Sequence, residues 1–404
     1  MGYHNRRQTL DYNRGWSQSD GAELPVHVLI DSCIYLADPK RDKPPFRAIV
    51  RLAKAGALHL HIPAFVRGEI LTHAQHDARD EINKARKTAA KLLAITDEPT
   101  LVQQAQAVQQ IVGEMEDGAA ERIEAALDAW ITEANATVHP VATDHGVRVA
   151  EAYFAGKSPF RTSKFRDDLP DSFIWETALD LVNEFGELIF VSADGRLWGA
   201  AEAHNQMDAY KTLEEFIKVD TVQDELTALI ASAAINNNLE RIKGLLPNMV
   251  GSLAASLEND VVSELSWKTV RHSAIPDDNG EASISGVGTP ETVEFAFEEI
   301  DDYGEGEFGI PFTATVECEL NFTIYKGDYY TLSDEEDISV SDWSDHYFNA
   351  TKSYTISIEG HLTLTIDTTE LEDEEISDGE LQDLITGADT TAEITEYAVY
   401  IPEY

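Results

Sequence analysis

The sequence predicts an α/β domain followed by an acidic, β-rich domain, and three observations lead to this prediction. Over residues 26–220, short apolar runs alternate with helical segments, as in a parallel α/β sheet with helical crossovers. From about residue 280, apolar and polar residues alternate with a period of two, which is typical of half-buried antiparallel strands. Of the net charge of −44, residues 1–220 carry only −10 and residues 221–404 carry −34.

The first domain contains short buried strands separated by helices. The apolar run 26–30 ends at Asp31, the run 58–62 ends at Pro63, and the run 188–192 ends next to Asp194. A shorter third strand is predicted over 137–141. The helical pattern is seen near 43–56, almost continuously over 64–135 with an interruption at Pro99, and over 171–185.

The composition changes define the predicted domain limits. An N-terminal arm, which we expect to be flexible, precedes the α/β domain. A helical insertion lies within that domain, and a helical connector leads to an acidic antiparallel β domain. Its long strands alternate over 312–324 and 354–366, and shorter strands are predicted near 281–286, 291–298 and 391–401. The predicted limits are 1–23 for the arm, 24–220 for the α/β domain, about 73–136 for the insertion, 221–275 for the connector and 276–404 for the β domain.

Several classes of protein are excluded by composition. No run of about 18 uncharged apolar residues is present, so we expect no membrane span. The first 25 residues have no apolar segment of the signal-peptide kind, so we expect a cytoplasmic protein. The two cysteines, Cys33 and Cys318, are too few and too far apart for a disulfide framework or a zinc motif.

Four acidic residues accompany the strands of the α/β domain. Asp31 and Asp194 follow two buried strands, Glu69 comes shortly after the second strand, and Asp171 opens a helix. Because ligands bind beyond the carboxyl ends of parallel strands, these carboxylates are expected to converge there. Their mutual repulsion would be relieved by a hard divalent cation, Mg²⁺ or Mn²⁺.

Each of these acids also has a purely structural interpretation. Asp31 is suited to cap a helix, and Asp171 is suited to the first turn of one. Asp168 competes with Asp171 for the role of third acid. The ordered set of four is much more specific than any single member.

The segments VLIDSC, IPAFVRGEI, KFRDDLPDSFIW and IFVSADGRLW together resemble the PIN-domain ribonucleases. Residues 159–174, PFRTSKFRDDLPDSFI, are similar to a segment found in a larger bacterial group of PIN-like proteins. The resemblance covers about residues 24–218, with a longer helical stretch after Glu69 than compact toxin-type members have. The acidic C-terminal domain resembles no family that we recognise.

The resemblance implies a metal-dependent nuclease, most readily an endoribonuclease, with structure-specific cleavage of DNA as an alternative. It implies that Asp31 binds a central Mg²⁺ or Mn²⁺ and that Asp171 and Asp194 complete the coordination. Glu69 would bind a second ion or orient water, and Ser32 and Ser192 would hydrogen-bond the carboxylates. The resemblance to bacterial PIN-like proteins also suggests a toxin-like or phage-defence setting, which no residue of this chain demonstrates.

Four basic residues lie near the third and fourth acids in the sequence and have two interpretations. They would hold substrate phosphates, or they would form ordinary ion pairs with the neighbouring aspartates. They are Arg161, Lys164, Arg166 and Arg196.

The acidic C-terminal domain is a poor candidate for binding nucleic acid, because contacts with phosphate need positive charge. It suits a regulatory role through contact with a basic protein partner, occlusion of the active site of its own chain, or a solvated stabilising role. The sequence does not indicate an oligomeric state.

Overall fold

The structure is a computed structural model and describes residues 25–230, 233–332, 337–372 and 376–400. The arm predicted over residues 1–23 lies outside these ranges. The chain divides into two compact units, with the boundary between Glu225 and Leu226. In the described ranges, no helix is long and apolar enough to cross a membrane.

The first unit is built on a parallel sheet, as the alternation of strands and helices predicts. The five strands have the order β3-β2-β1-β4-β5 and all their pairings are parallel. The strands are β1 (Val26–Ile30), β2 (Leu58–Pro63), β3 (Thr137–His139), β4 (Leu188–Val191) and β5 (Met207–Tyr210). Strand β5 is absent from the sequence prediction because it has only four residues and includes a polar Asp208.

Ten helices connect or follow these strands. They are α1 (Ser32–Ala37), α2 (Pro44–Ala55), α3 (Ala64–Ile95), α4 (Pro99–Glu116), α5 (Ala119–Glu133), α6 (His145–Ala155), α7 (Leu169–Phe185), α8 (Gly195–Glu202), α9 (Leu213–Ile217) and α10 (Asp220–Ala228). The nearly continuous helix expected over 64–135 is divided into α3, α4 and α5. Pro99 begins α4, and Gly118, with a left-handed φ of 70°, precedes α5.

The central strands of the first sheet lie in the core of the first unit. Val28, Leu29 and Ile30 of β1 and Phe190 of β4 are completely buried. The central strands of a parallel sheet are covered on both faces, which is why their sequences are continuous apolar runs. Trp175 of α7 packs edge-on against Phe190, with 6.3 Å between ring centroids, and so fixes that helix against β4.

The second unit is an antiparallel sheet packed with helices. Seven strands have the order β10-β11-β9-β7-β6, with β12 on β11 and β8 on β9. They are β6 (Thr269–Arg271), β7 (Glu281–Phe295), β8 (Asp301–Asp302), β9 (Glu307–Tyr325), β10 (Ser339–Asp342), β11 (Tyr347–Thr365) and β12 (Asp389–Val399). The helices are α11 (Ala233–Leu245), α12 (Val250–Ser256), α13 (Glu258–Leu265), α14 (Lys326–Tyr329) and α15 (Asp378–Gly387).

The two longest strands show the predicted alternation. β9 and β11 pair without interruption from Tyr325 with Tyr347 to Glu307 with Thr365. The inward side chains of β9, from Phe308 to Ile324, are buried, and Leu253 and Val261 of the helices belong to the same core. Helices α12 and α13, which lie in the segment expected to be a connector, therefore pack against this sheet.

Strand β7 differs from the prediction of two short strands near 281–286 and 291–298. It is one strand of 15 residues whose pairing with β9 shifts register between Ile284 and Gly286, between Val287 and Pro290, and between Glu291 and Glu294. Such bulges insert unpaired residues and interrupt the period-two pattern, which is why the sequence suggests a break.

Candidate active site

Asp31 lies at the carboxyl end of the central strand β1. Its backbone N–H donates to the carbonyl of Val191 at 2.9 Å, so the ends of β1 and β4 are tied together. The side chain is only 3% exposed, and its Oδ1 accepts from the N–H of Ser32 at 2.7 Å as the cap of α1. Asp31 therefore caps α1 with Oδ1 and contacts other groups with Oδ2. Its role as a helix cap does not exclude a role in the site.

Ser192 connects Asp31 to the end of β4. Its hydroxyl donates to Oδ2 of Asp31 at 2.7 Å and accepts from the N–H of Asp194 at 3.1 Å. The serine is completely buried. This one hydroxyl therefore fixes both the Asp31 carboxylate and the loop that carries Asp194.

Glu69 and Asp171 come from two helices that pack against each other. Glu69 lies in the second turn of α3, and Asp171 lies in the first turn of α7. Phe65 of α3 stacks on Phe173 of α7 with ring centroids 4.4 Å apart. The stacked rings hold the two helix starts, and therefore the two acids, side by side.

The four acids interact electrostatically. Burial, followed by the negative charges of Asp31 and Asp194, raises the pKa of Asp171 to about 6. Glu69 contributes in the same direction, and Arg196 opposes it. Burial, with a smaller contribution from Asp31, also raises the pKa of Glu69. Asp171 therefore lies within electrostatic reach of Asp31, Glu69 and Asp194, although the four acids come from four different segments of the chain.

Arg196 is the basic residue that contacts these acids most extensively. Its Nη2 lies 2.8 Å from Oδ2 of Asp194 and 3.3 Å from Oδ2 of Asp171, and its Nη1 contacts Asp168. Burial acts to raise the pKa of Asp194, but the contacts with Arg196 and with backbone N–H groups outweigh it and hold that pKa below its usual value. Arg196 is therefore a counter-charge inside the acidic cluster.

Asp168 has a different environment from the other acids. It is completely buried and accepts from the backbone N–H of Arg161 at 2.8 Å and from the side-chain Nε at 3.2 Å. Together with its contact to Arg196, these bonds occupy the carboxylate with partners from its own chain. Asp168 thus supports the loop before α7, and Asp171 is the more accessible of the two rivals.

The predicted phosphate-binding residues are placed differently from one another. Arg161 pairs with Asp168, and Arg196 pairs with three acids. Lys164 and Arg166 are exposed on the loop before α7, where Lys164 has a left-handed φ of 64°. In the part of the chain that the structure describes, neither Lys164 nor Arg166 forms an ion pair with the four acids.

Cys33 also lies in the site, although the sequence alone does not predict this position. Its Sγ lies 3.1 Å from Oδ2 of Asp31 and 3.3 Å from the N–H of Ala193. Burial and the neighbouring charge of Asp31 raise the pKa of this thiol to about 12. The feature of the sequence that could have indicated this is the position of Cys33 in the first turn of α1, directly after the Asp31 cap. In that turn the side chain lies close to the ends of the strands.

A row of histidines crosses the same sheet, and the sequence alone does not predict this row either. Nδ1 of His27 lies 2.8 Å from Nε2 of His61, and Nδ1 of His61 lies 2.8 Å from Nε2 of His139. These residues come from β1, β2 and β3. The ring of Phe185 of α7 stacks on that of His27, with 3.8 Å between the ring centroids. Only the strand register brings them together, and a single sequence does not reveal register.

The donor chemistry of the acidic cluster suits a hard divalent cation, because carboxylate oxygens are the ligands that Mg²⁺ and Mn²⁺ prefer. Burial and, after it, the negative charges of Asp31 and Asp194 raise the pKa of Asp171, and a divalent cation would offset the repulsion from those charges. Within the described ranges, no group of three or more His, Cys, Asp or Glu side chains is already drawn together as a metal-holding set. The cation that contacts the cluster in this structure is the Arg196 guanidinium.

A parallel α/β sheet with acidic side chains gathered beyond its carboxyl edge defines the class of domain. Residues 28–198 match the family model of the PIN domain. Residues 28–198 are therefore a PIN domain, a domain whose family is one of nucleases. PIN domains in general use divalent metal ions. No curated protein and no solved structure matches the chain.

Proposed function

We propose that this protein is an endoribonuclease that depends on Mg²⁺ or Mn²⁺ and cleaves phosphodiester bonds at the acidic cluster of its PIN domain. The observation that carries the proposal is the gathering of carboxylates beyond the ends of β1 and β4, where Ser192 joins Asp31 to the loop of Asp194 and Arg196 contacts both Asp194 and Asp171. Glu69 on α3 is the fourth acid, and the pKa of its carboxyl is raised by burial and by Asp31. Acids are rarely gathered in this way without a cation or a reaction to justify the repulsion.

The proposed roles are those that the resemblance to the PIN-domain ribonucleases implies, and the contacts of Asp31 support the role given to it. Asp31, fixed by Ser192 and by the start of α1, would be the central ligand. Asp171 and Asp194 would complete the set, and Glu69 would hold a second ion or orient a water molecule. A bound divalent cation would supply Lewis-acid activation of the phosphodiester and of water.

The exposed basic residues of the loop before α7 are proposed to contact the substrate. Lys164 and Arg166 are free to meet phosphates because they form no ion pair with the four acids in the described chain. RNA is favoured over DNA as the substrate because the site segments resemble the PIN-domain ribonucleases.

The test is cleavage of a mixed-sequence RNA and of a single-stranded DNA of the same sequence by the full chain, with Mn²⁺, Mg²⁺ or EDTA. Asp31→Asn is expected to lower the rate at least about 100-fold, beyond the 10–100-fold typical of losing an outer partner of a ligand. The control is Asp97→Asn, the same chemical change at an exposed position between α3 and α4.

Metal-dependent cleavage of RNA that Asp31→Asn abolishes and Asp97→Asn leaves intact supports the proposal. Cleavage of DNA alone would replace RNA by DNA as the substrate. Equal rates in EDTA and in Mn²⁺, or equal rates for the two variants, would contradict the metal-dependent site.

A second function is proposed for the second unit, namely contact with a basic protein partner. The supporting observation is its charge, since residues 226–404 hold 6 basic and 38 acidic residues. Titration of the full chain with fluorescent oligolysine, and with oligoglutamate as control, tests this. Binding of oligolysine that 0.5 M salt does not weaken, or no binding at all, would contradict a contact based on charge.

A further inference from the structure

We propose that Arg196 is a resident counter-cation of the acidic cluster, which competes with the divalent metal for Asp171 and Asp194 and is displaced when the metal binds. This inference rests on the proposed function, because it assumes that these two aspartates are metal ligands. It goes further by assigning Arg196 to the control of metal occupancy and not only to the binding of substrate phosphate.

The geometry of the guanidinium carries the inference. One nitrogen, Nη2, is shared between Oδ2 of Asp194 at 2.8 Å and Oδ2 of Asp171 at 3.3 Å. The other oxygen of Asp194, Oδ1, accepts from the backbone N–H groups of Arg196 and Leu197 at the start of α8. Both oxygens of Asp194 therefore have partners, and a cation that binds Oδ2 meets the guanidinium there as a second positive charge on the same oxygen.

Asp168 is the partner with which Arg196 can stay paired when it releases the other two acids. This buried carboxylate contacts Nη1 of Arg196 and is itself fixed by two bonds from Arg161. The guanidinium can therefore release Asp171 and Asp194 and remain paired with Asp168. Its side chain is 32% exposed, so the released Nη2 would face solvent and the phosphates of a substrate.

The charge arithmetic favours an exchange over simultaneous occupation. A guanidinium and a divalent cation that share two carboxylates would repel each other at short range. Without either cation, the negative charges of Asp171 and Asp194 would face those of Asp31 and Glu69. Arg196 therefore stabilises the metal-free domain, and this stabilisation is what a metal must overcome.

The experiment measures Mn²⁺ binding to the metal-free full chain by isothermal titration calorimetry, together with the melting temperature with and without Mn²⁺. Arg196→Gln is expected to bind Mn²⁺ roughly tenfold more tightly, which is the lower range of coupling for a close charge pair. The same variant is expected to melt at a lower temperature without metal and to gain more from saturating Mn²⁺ than the wild-type protein gains.

Arg161→Gln is the matched control, because Arg161 contacts none of the four proposed ligands and its backbone N–H still fixes Asp168 in the variant. It is expected to keep the wild-type Kd for Mn²⁺. Should Arg196→Gln fail to fold, Arg196→Lys, which keeps one charge but cannot bridge three acids, is expected to give a smaller shift in the same direction.

The outcomes separate the inference from the proposed function. If the wild-type protein binds Mn²⁺ and Arg196→Gln binds it equally or more weakly, the competition is refuted while the metal site stands. Equal tightening in Arg196→Gln and Arg161→Gln would also refute it, because the effect would then be one of general charge. If neither the wild-type protein nor Arg196→Gln binds Mn²⁺, both the metal site and the competition are wrong.

Discussion

At the scale of single residues, Ser192 is the side chain on which the arrangement of the acids depends most directly. Its hydroxyl is bonded to Asp31 on one side and to the backbone of Asp194 on the other. We expect Ser192→Ala to lower the cleavage rate by about 10–100-fold, as is typical for an outer partner of a ligand, and to cost about 1 kcal/mol of stability. Cleavage assays and thermal melts measure the two effects.

The control for this prediction is Ser353→Ala, which removes an exposed hydroxyl from β11 in the second unit. It is expected to change neither the rate nor the stability appreciably. An unchanged rate in Ser192→Ala would mean that the carboxylate of Asp31 keeps its orientation without this bond.

Cys33 allows a chemical test of the same environment. Its thiol has a pKa raised to about 12 by burial and by Asp31, so very little thiolate exists near pH 8. Alkylation by iodoacetamide is therefore expected to be more than about 100-fold slower at Cys33 than at an exposed cysteine introduced by Ser353→Cys. Mass spectrometry of the labelled peptides gives both rates in one sample, and comparable rates would show that the thiol does not donate to Asp31.

At the scale of secondary-structure elements, the histidine row across β1, β2 and β3 predicts a dependence of stability on pH. Burial, followed by the neighbouring His139 and His27, lowers the pKa of His61 to about 3. The unfolded chain takes up a proton at this residue near its ordinary pKa of about 6.5, whereas the folded chain does not. Stability is therefore fully present above pH 6.5 and is lost as the pH falls toward 3.

The loss due to His61 alone is at most about 1.4 kcal/mol per pH unit below its ordinary pKa. Calorimetric melting of the full chain between about pH 7.5 and 5.5, above the range of ordinary carboxyl groups, measures it. His61→Gln is expected to flatten this dependence. His76→Gln, a change on the exposed surface of α3, is expected to leave it unchanged, and an equal slope in all three proteins would contradict the prediction.

In the second unit, Gly360 marks the point where β11 changes register against β12. A Cβ at this position would collide with the carbonyl oxygen of Glu393 and would lie 3.0 Å from the ring of Phe312. Because the backbone oxygen cannot move aside, Gly360→Ala is expected to cost about 1–3 kcal/mol, or about 2–4 °C of melting temperature per kcal/mol.

Gly244→Ala is the matched control for Gly360→Ala, since a Cβ there meets nothing within 4 Å in α11. It is expected to be neutral or to stabilise the protein, because alanine favours a helix more than glycine does. Melting temperatures of the two variants that change equally would show that the close approach at Gly360 relaxes.

The elements also show which parts of the fold can be predicted from a single sequence. Apolar runs predict β1, β2 and β4 because these strands are covered on both faces, and Pro99 predicts the break before α4. Strand β5 is too short and too polar to be recognised, and bulges conceal the continuity of β7. Local pattern is visible in a sequence, whereas register and pairing are not.

The same limit applies to the site. The order Asp31, Glu69, Asp171, Asp194 is readable because each acid follows a recognisable strand or opens a recognisable helix. The pairing of Arg196 with three acids, and the approach of Cys33 to Asp31, depend on side-chain directions in three dimensions. Spacing along the chain predicts ion pairs of Arg196 with neighbouring aspartates as one of two interpretations, but it gives neither the contact with Asp171 nor the position of Cys33.

At the scale of the whole molecule, the uneven charge predicts that the two units respond differently to salt. Residues 221–404 carry −34 of the total −44, so repulsion among exposed carboxylates opposes the compact state mainly in the second unit. The Debye length falls from about 30 Å at 0.01 M to about 3 Å at 1 M salt, which screens this repulsion.

We therefore expect the melting transition of the second unit to rise by more than that of the first when NaCl is raised from 0.01 M to 1 M. The Gly360→Ala variant identifies the transition of the second unit, because it lowers that transition alone, and sucrose of equal osmolality controls for effects of the cosolute. A transition of the second unit that does not move with salt would show that its carboxylates are already neutralised by bound cations or by pairing. The acidic surface would then offer little attraction to a basic partner, and the function proposed for this unit would fail with it.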